Sequence, residues 1–251
     1  MLHSVLCREG YILYPSSQPA NYDRAATMFS PDGRLYQVEY ASKIVSQGTM
    51  GVAAKYADGI IFAADKKITS RLLIPESVEK IFQVDDHIAA VSAGLVGDAR
   101  RLVQIARQKA QENRVLYEEA IQIETLVKEI SNIKQVFTQY GGMRPFGISF
   151  IIGGVDSSGK RLFETEPSGA LAEYHAIAIG KNRAKAMELF EKEWKENMPK
   201  ESAVKLMIRA LEFGLDEKEK IDLKRLQFMF IDSSQKFRQI TQDELKAIQS
   251  K

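Results

Sequence analysis

The sequence predicts an α+β protein with four layers, in which two β-sheets pack on each other and helices cover both outer faces. Two blocks of short apolar strands are each followed by a pair of helices, and the segments "IIFAA" and "ISFII" are continuously apolar. A strand that is apolar along its whole length is expected to be covered on both faces. Two stacked sheets with a helical layer outside each satisfy that demand. The pattern therefore predicts an α-β-β-α sandwich, preceded by one extra N-terminal helix.

The first predicted elements are a turn and this extra helix. The segment "SPDG" at 30–33 places Pro at the second and Gly at the fourth turn position, as in a type I turn. Apolar residues then recur at spacings of three and four within 34–46, namely Leu35, Val38, Ala41 and Val45. Gly48 stands where a helix C-terminus is expected. This apolar face requires a partner surface.

The first strand block reads as two hairpins followed by two helices. "MGVAAK" and "IIFAAD" flank the Asp-Gly pair at 58–59, which is expected to supply the positive φ that tight hairpins need. "KIFQV" and "HIAAVSAG" flank a second turn. One helix is predicted from Asp98, as its N-terminal cap, to about Val115, and another from about Glu118 to Tyr140.

The second strand block is "GISFIIGGV", "RLFETE" and "LAEYHAIAIG". Helices are predicted near 182–197 and 200–214, and a last strand at "LQFMFI". These patterns divide the chain into an N-terminal extension with the turn (1–33), a helix (34–48), the sandwich (49–234) and a C-terminal tail (235–251).

Composition argues against several classes of protein. The 251 residues carry 35 Lys and Arg against 33 Asp and Glu, a formal charge of +2, so no strong field favours nucleic acid or an anionic membrane. No apolar run reaches the roughly 18 residues of a membrane span, and the N-terminus does not read as a signal peptide. A single cysteine, Cys7, and three scattered histidines, His3, His87 and His175, predict no internal disulfide, metal or cofactor. A cytoplasmic location is expected.

The segment "QGTMG" at 47–51 contains a Gly-Thr pair like those at which some hydrolases cleave themselves to expose a threonine nucleophile. A free α-amino group, with a pKa of about 7.7–8.0, suits the role of base. Paired strands could bring Thr49 together with Asp65 and Lys80. The alternative is structural: Thr49 opens a strand, Asp65 ends one, and Lys80 forms a surface ion pair with Glu79 or Asp85.

Several segments resemble the α-type subunits of the proteasome core particle, the archaeal type most of all. They are "YDRAATMFSPDGRLYQVEYA" at 22–41, "DKKITSRL", "SVEKIFQVDDHIAAVSAGLVGDAR", "FTQYGGMRPFG" and "IIGGVDSSGKRLFETEPSG". The resemblance runs from Tyr22 to about Asp232. It implies the four-layer fold of N-terminal nucleophile hydrolases and seven-membered α-rings that cap two inner rings of β-subunits, where the active sites lie.

The same resemblance sharpens the question about Thr49. The catalytic β-subunits use a processed threonine, an aspartate and a lysine at positions that match Thr49, Asp65 and Lys80. Three features favour a non-catalytic α-type subunit over such a self-processed threonine peptidase. Cleavage after Gly48 would discard the patterned helix. The chain also has "GKN" at 180–182 where β-types carry Gly-Ser-Gly, and its "LDEKEKID" offers no serine where β-types have Asp followed by Ser-Gly.

The resemblance implies a gate at the N-terminus. In the family, a tail Tyr-Asp pair, the proline of the turn and a tyrosine of the first helix cluster when the gate is open. These positions match Tyr22, Asp23, Pro31 and Tyr40. Residues 1–21 precede this motif where archaeal relatives usually carry only a few, and both a real extension and a misplaced start stay open.

The resemblance also implies a docking pocket and a channel loop. The matching family lysine lies between neighbouring subunits and pairs with the C-terminal carboxylate of a regulatory ATPase; here it is Lys80, with Gly33 and Leu95 at lining positions. The loop that narrows the axial channel matches four residues: Gly141, Gly142, Arg144 and Pro145. The implied partners are other α-subunits, β-subunits, the ATPase and unfolded protein substrates passing the channel.

Overall fold

The computed structural model of the chain describes residues 25, 27–68, 70, 72–215 and 221–249. In those ranges the helices are α1 (Tyr36–Gln47), α2 (Val96–Tyr117), α3 (Ile123–Phe137), α4 (Arg183–Glu193), α5 (Lys200–Glu212) and α6 (Gln242–Gln249). The strands are β1 (Gly51–Tyr56), β2 (Gly59–Asp65), β3 (Ile81–Asp85), β4 (Ile88–Gly94), β5 (Ile148–Asp156), β6 (Gly159–Thr165), β7 (Leu171–Glu173), β8 (Ala176–Ile179), β9 (Leu226–Asp232) and β10 (Phe237–Gln239).

The strands form two five-stranded antiparallel sheets. The first has the order β10-β9-β2-β1-β8 and the second the order β3-β4-β5-β6-β7. Helices α4, α5 and α6 pack outside the first sheet, whereas α2 and α3 pack outside the second. The predicted four-layer sandwich is therefore confirmed.

Alternation along the strands explains why they are apolar throughout. In β2, Ile60 and Phe62 belong to the apolar cluster between the sheets, while Ile61 belongs to the cluster under α4 and α5. In β5, Ile151 lies between the sheets and Phe150 faces α2 and α3. Successive side chains of a strand point to opposite faces, so a strand buried on both faces must be apolar at every position.

Helix α1 packs against β4 and β5 through the apolar face that the sequence indicated. Ala41 and Val45 are buried, and Val45 joins the apolar cluster between the sheets. The helix is therefore part of the packed structure that leads directly into β1.

Two local predictions are wrong. Gly59 does not have a positive φ; glycine is required there because an added Cβ would lie 2.0 Å from the Ile231 carbonyl oxygen of β9. Asp98 does not cap α2, because the helix begins at Val96 and Asp98 lies within its first turn. The carboxylate of Asp98 instead binds Arg144 and the Gly147 N–H.

Helix boundaries also differ from the predicted ones. Helix α2 continues to Tyr117 and ends where Glu118 adopts a left-handed conformation with φ 58°. Helix α3 is shorter than predicted, beginning at Ile123. Helix α4 ends at Glu193 because the backbone turns extended at Trp194, whose indole N–H donates to the Lys55 carbonyl oxygen at 3.0 Å.

The segment after β9 was predicted only as a tail, and it contains β10 and α6. Ile240 and Leu245 are buried in the cluster under α4 and α5, with Ile248 packed against it. The spacing of Ile240, Leu245 and Ile248 is a short apolar period, and this period was the sequence signal that could have predicted α6.

Candidate functional site

Thr49 lies in the short extended segment between α1 and β1 and is held from two sides. On one side the Lys181 N–H donates to the Gly48 carbonyl oxygen at 2.9 Å. Gly180, with φ +94°, comes so close that an added Cβ would lie 2.8 Å from both the Gly48 and Thr49 oxygens. The Gly48-Thr49 peptide is therefore fixed between α1 and the loop that precedes α4.

Lys80 holds the other side of Thr49. Its amine donates to the Thr49 carbonyl oxygen at 3.0 Å and to Thr49 Oγ1. The residue is only 9% exposed, and this burial lowers the pKa of Lys80 to about 8, against the opposing effect of the Asp65 charge. The alternative of a surface ion pair is wrong, because Lys80 is buried and Asp85 pairs with Arg114 at 3.0 Å.

Asp65 lies near enough to Lys80 for its charge to act on the pKa of that lysine, and it is held by a residue that sequence reasoning missed. Its carboxylate accepts from Arg225 Nε at 3.1 Å and Nη2 at 2.7 Å, and from the Lys67 N–H at 3.0 Å. Arg225 is 160 positions away in the sequence, immediately before β9, and no local pattern marks it. The structure thus joins Lys80 to Thr49 by hydrogen bonds, whereas the carboxylate of Asp65 is bound by Arg225.

The chemistry open to this cluster depends on whether the α-amino group of Thr49 is free. A threonine nucleophile needs a base, and its own α-amino group serves only when it is free. Here Tyr36–Gln47, directly ahead of Thr49, form the packed helix α1, so freeing that amino group would remove α1 from the fold.

The turn before α1 has the predicted form. The Gly33 N–H donates to the Ser30 carbonyl oxygen at 2.8 Å, Gly33 has φ +74°, and Pro31 is exposed at the second position. On α1, Tyr40 is 44% exposed and its ring stacks on Tyr36 with 6.4 Å between centroids. The other two expected gate residues, at positions 22 and 23, lie outside the described residues.

Of the three residues expected to line a docking pocket, Lys80 and Leu95 lie near the Gly48-Thr49 segment, and Gly33 lies before the other end of α1. Leu95, 38% exposed, follows β4, and an added Cβ on Gly48 would lie 2.8 Å from the nitrogen of Gly94. Lys80 contacts Thr49 from within the sandwich. Gly33 lies on the exposed turn that leads into α1. The segment that carries Thr49 therefore runs between Lys80 and the end of β4.

The expected channel loop connects α3 to β5. Gly142 has φ +82°, which favours glycine, and an added Cβ on Gly141 would meet nothing within 4 Å. Arg144 forms an ion pair with Asp98 at 2.7 Å, and it also donates to the Pro145 carbonyl oxygen at 3.0 Å. The loop is therefore unpacked at its tip, Gly141 and Gly142, and held by bonds at its base, Arg144.

A second buried lysine, which was not singled out from the sequence, binds a different threonine in the same way as Lys80 binds Thr49. Lys134 is fully buried and donates to the Thr165 carbonyl oxygen at 2.9 Å and to Thr165 Oγ1 at 2.8 Å. Burial lowers the pKa of Lys134 to about 7, opposed by the charges of Glu164 and Glu166. An apolar helix pattern gives no reason to expect a buried lysine at this position.

Neither a metal centre nor a membrane span is found in the part of the chain that the structure describes. No group of three or more His, Cys, Asp or Glu side chains there is placed to hold a metal ion. None of the described helices has the length and apolar character needed to cross a membrane.

The fold defines the class of protein: a four-layer sandwich of the N-terminal nucleophile hydrolase type. Residues 45–230 match the proteasome subunit family, and residues 22–43 match the N-terminal signature of its A-type subunits. The chain belongs to the proteasome subunit family, and its N-terminal signature makes it an α-type member.

Similar curated proteins agree with this assignment. The proteasome alpha subunit of Methanothermobacter thermautotrophicus is 47% identical over 232 residues, which is 91% of this chain and 92% of that protein. The alpha subunit of Methanopyrus kandleri is 53% identical over 196 residues, 77% of this chain and 80% of its own length. That of Methanosarcina thermophila is 56% identical over 190 residues, 76% and 77% respectively.

Proposed function

We propose that this chain is a non-catalytic subunit of the outer α-ring of a 20S proteasome core, where it gates the passage of unfolded protein and docks a regulatory ATPase. Its ring partners are other α-subunits, and its second partner is a β-subunit that supplies the active site. This proposal places the chain in the cytoplasm and in intracellular protein degradation.

The observation that carries the non-catalytic role is the packing of α1, the helix directly ahead of Thr49. The Lys181 N–H donates to the Gly48 carbonyl oxygen, and Lys80 donates to that of Thr49. Ala41 and Val45 bury α1 against the sheets. Releasing a free Thr49 would remove this packed helix, and a disposable propeptide has no need of such packing.

Mass spectrometry tests this role directly. The chain is co-expressed with a proteasome β-subunit, and the assembled particle is analysed both under native conditions and after denaturation. We expect rings of about seven intact chains, with the Gly48-Thr49 bond uncleaved. A chain that begins at Thr49 would instead establish the second candidate, a threonine peptidase, which the contact between Lys80 and Thr49 favours.

The proposed gate is the segment before α1. Pro31 and Gly33 fix the direction in which the chain leaves the packed helix. Residues 1–29 contain no helical or strand period of useful length, so their sequence offers little apolar surface to offset the entropy of ordering. Neighbouring tails that meet at a ring axis would supply the missing contacts, with Tyr22 and Asp23 as hydrogen-bonding groups.

Deletion of residues 1–26 tests the gate. The truncated particle should assemble, because α1 is retained, and should degrade an unfolded protein such as casein about tenfold faster without any ATPase. Hydrolysis of a short peptide is the control for the amount of active β-subunit. An assembled particle that is no faster on casein contradicts the gating role of this segment.

Lys80 is the proposed docking residue for the ATPase. An ammonium group has three donors, and the two oxygens of Thr49 use two of them. The third can pair with a C-terminal carboxylate, and the resemblance makes Leu95 and Gly33 the proposed lining positions. A carboxylate bound to an ammonium in a half-buried site is a strong directional contact.

A further inference from the structure

The loop between α3 and β5 is tied at its base by an acidic side chain from another element. Arg144 Nη1 donates to Asp98 Oδ2 and Nη2 donates to Oδ1, both at 2.7 Å. Asp98 lies in the first turn of α2, and its Oδ2 also accepts from the Gly147 N–H at 2.9 Å. A bidentate arginine–carboxylate pair fixes orientation as well as distance, so Asp98 sets the direction in which the loop enters β5.

The element that carries Asp98 is itself firmly placed. The Leu95 N–H donates to the Gly147 carbonyl oxygen at 2.9 Å, and Gly94 pairs with Ile148 in the sheet. Asp98 follows within one helical turn of this junction. The carboxylate is therefore held on the frame of the sandwich, and Arg144 is the part that it restrains.

The tip of the loop has little packing of its own. Tyr140 is 60% exposed, and an added Cβ on Gly141 or Gly142 would meet nothing within 4 Å. Its internal contact is a turn in which the Met143 N–H donates to the Tyr140 carbonyl oxygen at 3.3 Å. The position of the tip therefore depends on how the base is held.

The pair formed by Asp98 and Arg144, called the clamp from here on, is charged under ordinary conditions. The side chain of Asp98 is 12% exposed and that of Arg144 60%. Burial acts to raise the pKa of Asp98, but the bonds from Arg144 and the Gly147 N–H together lower it below its usual value. A hydrogen-bonded carboxylate of this kind stays ionised near neutral pH.

We propose that Asp98 is a positioning residue that sets the width of the axial channel by clamping Arg144. The inference rests on the proposed function, in which the loop at 141–145 narrows that channel. With the clamp closed, the loop projects in one direction and limits the bulk of unfolded chain that passes. With the clamp open, the glycine-containing tip swings away and the restriction relaxes.

The test uses Asp98→Asn, Arg144→Ala and the double variant in particles that lack residues 1–26, so that the tails do not obstruct the channel. The introduced amide keeps an acceptor for the Gly147 N–H and loses the ion pair alone. Glu193→Gln is the matched control, because Glu193 and Arg209 form another two-point pair, with a 2.6 Å contact, between α4 and α5.

Two measurements are made on each particle. Hydrogen exchange of amides 139–147 should speed by about tenfold in both single variants, and degradation of casein should rise about threefold relative to short-peptide hydrolysis. The double variant should match the single variants, because both remove one shared interaction. The Glu193→Gln particle should show neither change.

Several outcomes would overturn the clamp. Unchanged loop exchange or an unchanged casein-to-peptide ratio contradicts it, as do fully additive effects in the double variant. If a variant ring fails to form, hydrogen exchange on the purified subunit still tests whether Asp98 restrains the loop, and unchanged exchange there contradicts the clamp. If deletion of residues 1–26 itself has no effect on casein, while the loop exchange and the casein-to-peptide ratio both respond to Asp98→Asn, the gate proposal fails and the clamp stands.

Discussion

Lys80 and Lys134 are buried in two regions of the molecule by the same local arrangement. Each amine donates to the backbone carbonyl and the side-chain hydroxyl of one threonine, Thr49 for Lys80 and Thr165 for Lys134. Thr165 ends β6 and follows Glu164 rather than glycine, so nothing there indicates processing. A lysine bound to a threonine is therefore a way to satisfy a buried amine in this fold, and by itself is weak support for catalysis.

The two pairs differ in what surrounds them. Lys134 is fully buried, lies 5.5 Å from the centre of the Phe150 ring, and has Glu164 and Glu166 as nearby charges, with Arg183 of α4 bound to Glu164 at 2.6 Å. Lys80 is also buried, but the Thr49 that it binds is partly exposed, whereas Thr165 is fully buried. An incoming carboxylate has to approach from solvent, so a docking role suits Lys80 better than Lys134.

The largest expected difference between the two lysines is functional. Lys80→Ala should abolish ATPase-driven protein degradation, while assembly and short-peptide hydrolysis by the assembled particle stay nearly unchanged, because a charge pair is lost but no catalytic group is. Lys134→Met is the matched variant, since Met keeps the chain length, and it should retain ATPase stimulation. Peptide hydrolysis lost in an intact Lys80→Ala particle would identify Lys80 as catalytic.

The loss of stability should be larger for the Lys134 variant than for the Lys80 variant. Lys134→Ala removes a fully buried side chain and leaves both oxygens of Thr165 without this donor, so the free energy of unfolding should fall by about 3 kcal/mol. Lys80→Ala should cost only about 1 kcal/mol, because water can reach Thr49 from the exposed edge. Urea unfolding of the purified subunits measures both. Equal losses in the two variants would mean that water reaches Thr49 no better than it reaches Thr165, and would contradict this ranking.

The pH dependence of stability separates the two regions further. Burial lowers the pKa of Lys134 from 10.5 to about 7, so between these values the unfolded chain binds a proton that the native chain does not. Stability should therefore rise with pH across this window, by about 2 kcal/mol from about pH 7.5 to about pH 9. This rise should be absent in Lys134→Met. For Lys80, whose pKa is about 8, the corresponding rise in stability should begin only at about pH 8.

The smallest expected effects come from the two hydroxyls. Thr49→Val and Thr165→Val each remove one acceptor of a lysine and should lower the free energy of unfolding by about 1 kcal/mol. Thr49→Val should leave peptide hydrolysis by the assembled particle unchanged, because the proposed function assigns the active sites to the β-subunits. A particle with Thr49→Val that loses part of its peptidase activity contradicts the shared structural role of these threonines.

The sequence by itself determined the order of the elements, the four layers, the turn at 30–33 and the packed face of α1. It also indicated that paired strands could bring Lys80 close to Thr49, although the contact itself spans 31 positions. These features follow from local periods, and from hairpins whose short connections make pairing partners neighbours in sequence. Such signals are contained in a few consecutive residues, so no distant contact is needed to recognise them.

Tertiary structure alone decided the contacts between remote segments. Arg225 reaches Asp65 across 160 positions, Arg144 reaches Asp98 across 46, and Lys134 reaches Thr165 across 31. Each depends on the register of the strands and the direction of a long side chain, which local patterns do not encode. The physical reason is that a period in the sequence specifies which face of an element is buried, whereas the partner on that face is chosen only when the layers pack.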